Sequence, residues 1–66
     1  MGASILRLPQ IIQLTGLSRS AIYDMIAKGD FPKQIKLTSR SSGWIETEVQ
    51  GWIDGRIAER DEGVAA

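Results

Sequence analysis

Cysteine and histidine are both missing from this chain of 66 residues. Without cysteine the fold has no disulfide framework, and without either residue it has no metal site built on thiolate or imidazole ligands. The usual nucleophile and base pairs of hydrolytic enzymes also rely on these side chains. We therefore predict a protein that is not an enzyme and that holds no metal ion and no cofactor.

Long apolar runs are missing as well. No run approaches the roughly 20 residues that a membrane-spanning helix needs, and the apolar stretch within residues 4–8 is too short for the core of a signal peptide. We expect a cytoplasmic protein without a membrane partner. A chain of this length is one small domain, predicted over residues 5–60, followed by a flexible C-terminal tail over residues 61–66.

The charge of the chain is balanced in sum but divided along its length. Residues 1–45 hold six basic and two acidic side chains, whereas residues 46–66 hold two basic and six acidic ones. A basic half hints at a polyanionic partner. Two ordinary solvated surfaces explain the same division, so charge alone leaves both interpretations open.

Two short helices flank a tight turn in the first half of the chain. Pro9 suits the first position of a helix over about residues 9–14, and Gly16 suits a left-handed cap at its end. Ser18 is a favourable N-cap for a second helix over about residues 19–28. The predicted apolar face of that helix is Ala21, Ile22, Met25 and Ile26, and the opposite face is Ser20, Tyr23, Asp24 and Ala27.

A β-hairpin is predicted after Lys28 and Gly29, which end the second helix with a cation and a glycine cap. Residues 34–37 alternate between polar and apolar side chains, as a half-buried strand does. The small polar residues 38–43 form the turn, and residues 44–45 return as the partner strand. The hairpin has a basic first strand and an arginine near its tip.

A third amphipathic helix is predicted from about Glu46 to Arg60, with acidic residues at its positive end. Gly51 and Gly55 weaken it by roughly 1 kcal/mol each relative to alanine, unless they permit close packing. Its expected buried face is Ile45, Val49, Trp52, Ile53 and Ile57.

The order helix, tight turn, helix, hairpin and helix is that of a helix-turn-helix with a wing. The predicted class is therefore mainly α with a small β-hairpin, a winged helix-turn-helix of three helices plus the wing. Residues 5–8 fit either a short strand or an ordered lead-in. Phe31, Trp44 and Trp52 are most simply packing residues in so small a core.

Five separated blocks also carry a recognisable pattern: Leu8-Pro9, LTGLSRSAIY (14–23), GDFPKQIKL (29–37), RSSGW (40–44) and EVQGWI (48–53). In this order they resemble the AlpA family of prophage regulatory proteins over about residues 5–60. The resemblance implies a small DNA-binding transcriptional regulator with a winged fold related to MerR-type and excisionase domains. It also implies a prophage or integrative element as the source and promoters of that element as the target.

The predicted DNA-binding residues lie on the second helix and the hairpin. The recognition helix, about residues 18–28, is expected in the major groove, and the wing, about residues 33–45, on the backbone or in the minor groove. Arg19 is expected on a phosphate or a guanine edge. The candidates are Ser18, Arg19, Ser20, Tyr23, Lys28, Lys33, Lys36, Ser39, Arg40 and Ser41.

Structural alternatives stand beside these roles. Ser18 also serves as a cap alone, Tyr23 as a half-buried residue packed on the wing, and the wing lysines as a solvated strand edge. Asp24 departs from the family, in which this position is often basic. It fits a cytosine contact, an internal pair with Lys28, or weakened DNA binding.

Three functions fit these features. The leading hypothesis is a sequence-specific regulator that binds double-stranded DNA and is nucleoid-associated when bound. An excisionase-like architectural factor for an integrase uses the same fold and contacts. A protein-interaction adaptor or anti-repressor fits the zero net charge and Asp24. Two protein partners are expected besides DNA. One is a second copy of the chain, through self-association or cooperative binding at repeated half-sites, and the other is an integrase.

Overall fold

A computed structural model describes residues 4–65 of the chain, with side chains through residue 63. Three helices and an antiparallel sheet of strand order β1-β3-β2 make up the fold. The predicted class, mainly α with a β-hairpin wing, is confirmed, and the lead-in is a short strand. In chain order the elements are β1 (Ile5–Leu6), α1 (Leu8–Thr15), α2 (Arg19–Ala27), β2 (Ile35–Thr38), β3 (Ser41–Ile45) and α3 (Glu46–Ala65).

Local hydrogen bonds build the turn between α1 and α2. Gly16 has the left-handed conformation, φ 71°, and its N–H donates to the Ile12 carbonyl at 2.8 Å. The Thr15 hydroxyl donates to the Ile11 carbonyl at 2.7 Å and accepts the Leu17 N–H at 3.2 Å. These bonds satisfy the end of α1. The tight turn predicted from the glycine is confirmed.

Both predicted caps of α2 are confirmed as well. The Ser18 hydroxyl accepts the Ala21 N–H at 3.1 Å. At the other end Gly29 has φ 79°, and the Asp30 N–H donates to the Met25 carbonyl at 2.8 Å, as in a Schellman motif. The position and length of α2 therefore follow from short-range chemistry.

Two tryptophans tie the loop after α2 to the rest of the molecule. Trp44 is fully buried, and its Nε1–H donates to the Pro32 carbonyl at 3.0 Å. The Nε1–H of Trp52 donates to the Asp30 carbonyl at 2.6 Å, and its ring meets Phe31 edge-on with centroids 4.9 Å apart. These aromatics are packing residues, as predicted. The remaining buried side chains are Leu6, Ile11, Ile22 and Val49.

The prediction that the first hairpin strand is half-buried is wrong. All four residues of β2 are exposed, including Ile35 at 39% and Leu37 at 42%. β2 is an edge strand, whereas α3 packs against the central strand β3. The alternating pattern predicted the strand correctly, but it carried no information about which element would cover it.

Helix α3 differs from its prediction in length and burial. It continues to Ala65, past the predicted end near Arg60, and Ile57 is 43% exposed instead of buried. The molecule measures 46 × 31 × 20 Å. Helix α3 has 20 residues, and its second half extends beyond the core, so that residues 54–63 are exposed. The flexibility of the tail stays a prediction, and Ala66 lies outside the described residues.

Gly51 and Gly55 are not close-packing sites, which corrects the alternative kept for them. A Cβ atom added at either position would meet no packing neighbour within 4 Å.

Within residues 4–65, no helix is both long and apolar enough to cross a membrane.

Candidate nucleic-acid interface

The first turn of α2 presents three polar candidates. Ser18 caps the helix, and its hydroxyl is already engaged by the Ala21 N–H, so its structural role is confirmed. Arg19 and Ser20 follow and are both exposed. Because a recognition helix reads base edges with its N-terminal residues, this is the end of α2 at which a DNA contact is expected.

Tyr23 lies one helical turn after Arg19 on α2 and is half-buried against the wing, which confirms the structural alternative kept for it and not an exposed position. Its ring centroid is 6.4 Å from that of Trp44, so it packs toward the central strand of the sheet. The Arg19 guanidinium carbon lies 5.9 Å from the same ring. Tyr23 therefore supports Arg19 by a cation–π contact, and its own DNA contact stays a prediction.

Side-chain hydrogen bonds shape the tip of the hairpin. The hydroxyls of Thr38 and Ser41 are 2.7 Å apart, and the Arg40 N–H donates to Thr38 Oγ1 at 3.1 Å. The turn is shorter than the predicted span of residues 38–43, because residues 41–43 pair with β2 and belong to β3. Ser39 and Arg40 occupy the turn, and both side chains are exposed. A hairpin tip held in this way presents the Arg40 side chain from a fixed backbone.

The start of α2 and the hairpin tip face each other across one open cleft of about 520 Å³. Four predicted residues meet here, Arg19 and Tyr23 from one side and Arg40 and Ser41 from the other. None of the cleft's lining residues, all within the described part of the chain, is acidic. The other lining residues are Arg7, Leu8, Pro9, Ser42 and Trp44.

Asp24 and Lys28 form the internal pair that was one of the alternatives for Asp24. Lys28 Nζ and Asp24 Oδ2 are 3.0 Å apart on the exposed side of α2. The hydrogen bond from the ammonium to Asp24, together with the attraction of that carboxylate, raises the pKa of Lys28 above its ordinary value. Lys28 is therefore already engaged within the protein.

The two wing lysines lie apart from the arginine cleft. Lys33 and Lys36 line a second groove with Ile26 and Gln34, and only Ser42 borders both grooves. Ser18, Ser20 and Ser39 are exposed but line neither one. Six of the ten predicted candidates thus lie in two grooves, four in the arginine cleft and two in the separate lysine groove, whereas Lys28 and the three serines lie outside both.

Ion pairing separates the basic side chains into two sets. On α3, Arg56 pairs with Glu59 at 3.3 Å and Arg60 with Asp61 at 2.9 Å, and Lys28 pairs with Asp24. In the part of the chain that the structure describes, the other basic residues have no carboxylate partner. They are Arg7, Arg19, Lys33, Lys36 and Arg40.

Arg7 and Ser42 are polar residues of the cleft that the sequence did not predict as site residues. In the sequence, Arg7 contributes only to the charge of the basic half. The position of Arg7 directly before Leu8-Pro9, the pair that starts α1, is the local sequence feature that could have indicated it as a site residue. Only the folded chain reveals that the start of α1 lies beside the start of α2 and the wing.

A family model described as prophage CP4-57 regulatory protein (AlpA) matches residues 4–57. The chain belongs to the AlpA family. The match covers both grooves, from Arg7 to Trp44, and confirms the resemblance read from the separated sequence blocks.

Two further proteins are similar to this chain over most of its length. The uncharacterized protein ORF88 of Enterobacteria phage P4 is 48% identical over 61 residues, which are 92% of this chain and 69% of the relative. The DNA-binding transcriptional activator AlpA of Escherichia coli (strain K12) is 43% identical over 58 residues, with 79% of this chain and 83% of the relative covered.

Proposed function

We propose that this AlpA-family protein is a sequence-specific transcriptional regulator of a prophage or integrative element that binds double-stranded DNA. The observation that carries the proposal is the cleft in which Arg19 of α2 and Arg40 of the hairpin tip meet without a carboxylate. A helix and a wing that share one basic cleft can contact the same stretch of duplex. The printed name of the Escherichia coli relative, a DNA-binding transcriptional activator, supports this function.

In the proposed complex α2 lies in the major groove and the hairpin lies on the backbone or in the adjoining minor groove. Arg19 contacts a guanine edge or a phosphate, because a bidentate arginine–guanine pair is the commonest specific contact. Arg40 contacts the backbone or the minor groove. The serine hydroxyls and the lysine groove supply further phosphate donors, which position the protein without reading sequence.

A protein-interaction adaptor is the second candidate, and the outer face of the sheet favours it. Ile5, Ile35 and Leu37 are each about 40% exposed. Ile5 and Leu37 both approach Gly43, so they lie on the same face of the sheet. An exposed apolar face of this kind suits a protein partner, and an integrase is one such partner.

Retention of genomic DNA tests the proposal. Purified protein is bound to sheared DNA of its source organism at low and moderate salt, and the retained fragments are sequenced. Enrichment of one short site near an integrase or excision gene supports the regulator. Affinity for that site should fall with salt at a log–log slope of roughly −0.9 per phosphate contact. Absence of retention at every salt concentration contradicts DNA binding and favours the adaptor.

A bending measurement on the enriched site separates a regulator from an excisionase-like architectural factor. The site is placed at the end or at the centre of otherwise equal fragments, and the mobility of the complexes is compared. A large mobility difference indicates a bend and supports the architectural role. Equal mobility supports a regulator that leaves the duplex straight.

A further inference from the structure

Arg7 lies outside both the recognition helix and the wing, yet it lines the same cleft as Arg19 and Arg40. The three arginines come from three separate segments: the residue before α1, the first residue of α2, and the turn between β2 and β3. Their convergence is therefore a property of the tertiary fold and not of one basic run in the sequence.

The main chain of Arg7 is held firmly at the start of α1. Its N–H donates to Gln10 Oε1 at 2.8 Å. Its carbonyl accepts the N–H groups of Gln10 at 2.9 Å and Ile11 at 3.1 Å. The guanidinium forms no ion pair with any residue between 4 and 65. An anchored backbone with an unpaired cation is suited to bind an external anion.

We propose that Arg7 completes a phosphate-binding cleft, in which Arg7, Arg19 and Arg40 hold the phosphodiester backbone of one DNA strand between α2 and the wing. The inference rests on the proposed function and adds a contact from outside both recognition elements. It also gives the cleft a defined occupant, because the backbone phosphate carries the negative charge of DNA and is present at every sequence.

The chemistry of the cleft fits a phosphate. Guanidinium groups present planar sets of donors that match phosphate oxygens, and they stay charged at any physiological pH. The hydroxyls of Tyr23, Ser41 and Ser42 add neutral donors along the same walls. Three cations in one cleft without a carboxylate repel one another until an anion enters. Bound phosphate removes that repulsion.

A phosphate contact by Arg7 predicts a loss that does not depend on base sequence. Removing one such contact should reduce the log–log salt slope by about 0.9. If Arg7→Gln and the unaltered protein bind equally near 1 M salt, this difference in slope makes the variant bind about eightfold more weakly at 0.1 M. The loss should be equal on the enriched duplex and on a scrambled duplex of the same length.

The test compares Arg7→Gln, Arg7→Lys and Arg19→Gln with Arg56→Gln as the matched control. Arg56→Gln removes the same charge from α3, where Arg56 is paired with Glu59. Each variant is titrated with both duplexes over a salt series, and its thermal unfolding is recorded. Arg7→Gln leaves the backbone bonds of Arg7 available, so its fold should match that of the unaltered protein. Arg7→Lys keeps the charge and should retain most of the affinity.

The expected result is a uniform, salt-dependent loss for Arg7→Gln and no loss for Arg56→Gln on duplexes that bind one copy of the protein, where self-association through α3 plays no part. If Arg7→Gln behaves like Arg56→Gln while Arg19→Gln binds weakly, the inference is overturned and the proposed function stands. A change of base preference in Arg7→Gln also overturns it, because a phosphate contact reads no sequence. If the unaltered protein binds neither duplex, the proposed function itself fails.

Discussion

At the scale of single residues, the positions of the carboxylates decide which basic side chains are available to a nucleic acid. A neighbouring carboxylate weakens the attraction of a cation for a phosphate, whereas an unpaired cation keeps that attraction in full. Arg19 and Arg40 have no carboxylate partner among the residues described. The engaged cations are Lys28, Arg56 and Arg60.

Arg19→Ala and Arg40→Ala should each weaken DNA binding while thermal unfolding stays nearly unchanged. We expect a loss of about 1–3 kcal/mol in binding if the arginine reads a base edge. Arg19→Ala also removes the contact with Tyr23, which at an exposed site is worth only about 0.5–1 kcal/mol. Arg56→Ala serves as the control. A variant that unfolds at a much lower temperature would show that its arginine is structural.

Asp24→Asn should strengthen binding to scrambled duplex and steepen its salt dependence. At neutral pH Lys28 stays protonated in both proteins, because its pKa is raised by Asp24 and only returns toward its ordinary value without it. The substitution therefore removes a negative charge and releases Lys28 for phosphate. A salt series on scrambled duplex measures the effect. If the variant instead loses preference at a single cytosine, Asp24 reads that base.

At the scale of elements, two kinds of glycine in this chain call for opposite predictions. Gly51→Ala and Gly55→Ala should each stabilise α3 by up to about 1 kcal/mol, because alanine is the better helix former and nothing blocks its Cβ. Urea unfolding measures the change. Affinity for a duplex with a single half-site should stay the same, since none of the described residues of α3 lines the arginine cleft. A destabilised variant would indicate a packing role for these positions.

Gly43→Ala is the matched substitution, and it should lower the free energy of unfolding instead of raising it. Gly43 lies in β3, and an added Cβ would be 2.5 Å from Ile5 Cγ2 and 3.1 Å from the Leu6 carbonyl oxygen. Overpacking of this kind costs typically about 1–3 kcal/mol. We expect a lower urea midpoint than in the unaltered protein. A midpoint equal to that of the unaltered protein would mean that β1 moves aside without cost.

At the scale of the whole molecule, the small size of the domain limits its DNA affinity. A single module of this kind buries about 600–1,000 Å² of its surface on DNA. We therefore predict cooperative binding to repeated or inverted half-sites, or a dimer formed through α3, whose residues 54–63 are all exposed. Titration of duplexes with one and two half-sites, together with sedimentation of the free protein, measures this. Nanomolar binding of one copy to a single half-site would contradict it.

The elements of this protein follow from its sequence because their signals are local. Gly16 and Gly29 take left-handed conformations that other residues resist, and Ser18 caps a helix three residues away. Such interactions join neighbours in the chain, so they can be read before folding. The Asp24–Lys28 pair spans one helical turn and was foreseen for the same reason.

Burial and the composition of the site were decided only by the tertiary structure. Ile35 and Leu37 are exposed because β2 is an edge strand, although their spacing resembles that of a half-buried strand. Arg7 joins Arg19 and Arg40 because the starts of α1 and α2 and the hairpin tip converge. The sequence alone determined the class of the molecule and the bounds of α1, α2 and β2 to within one residue, but not the end of α3 or the start of β3. Contacts between residues distant in the chain depend on how those elements pack, which no short-range pattern specifies.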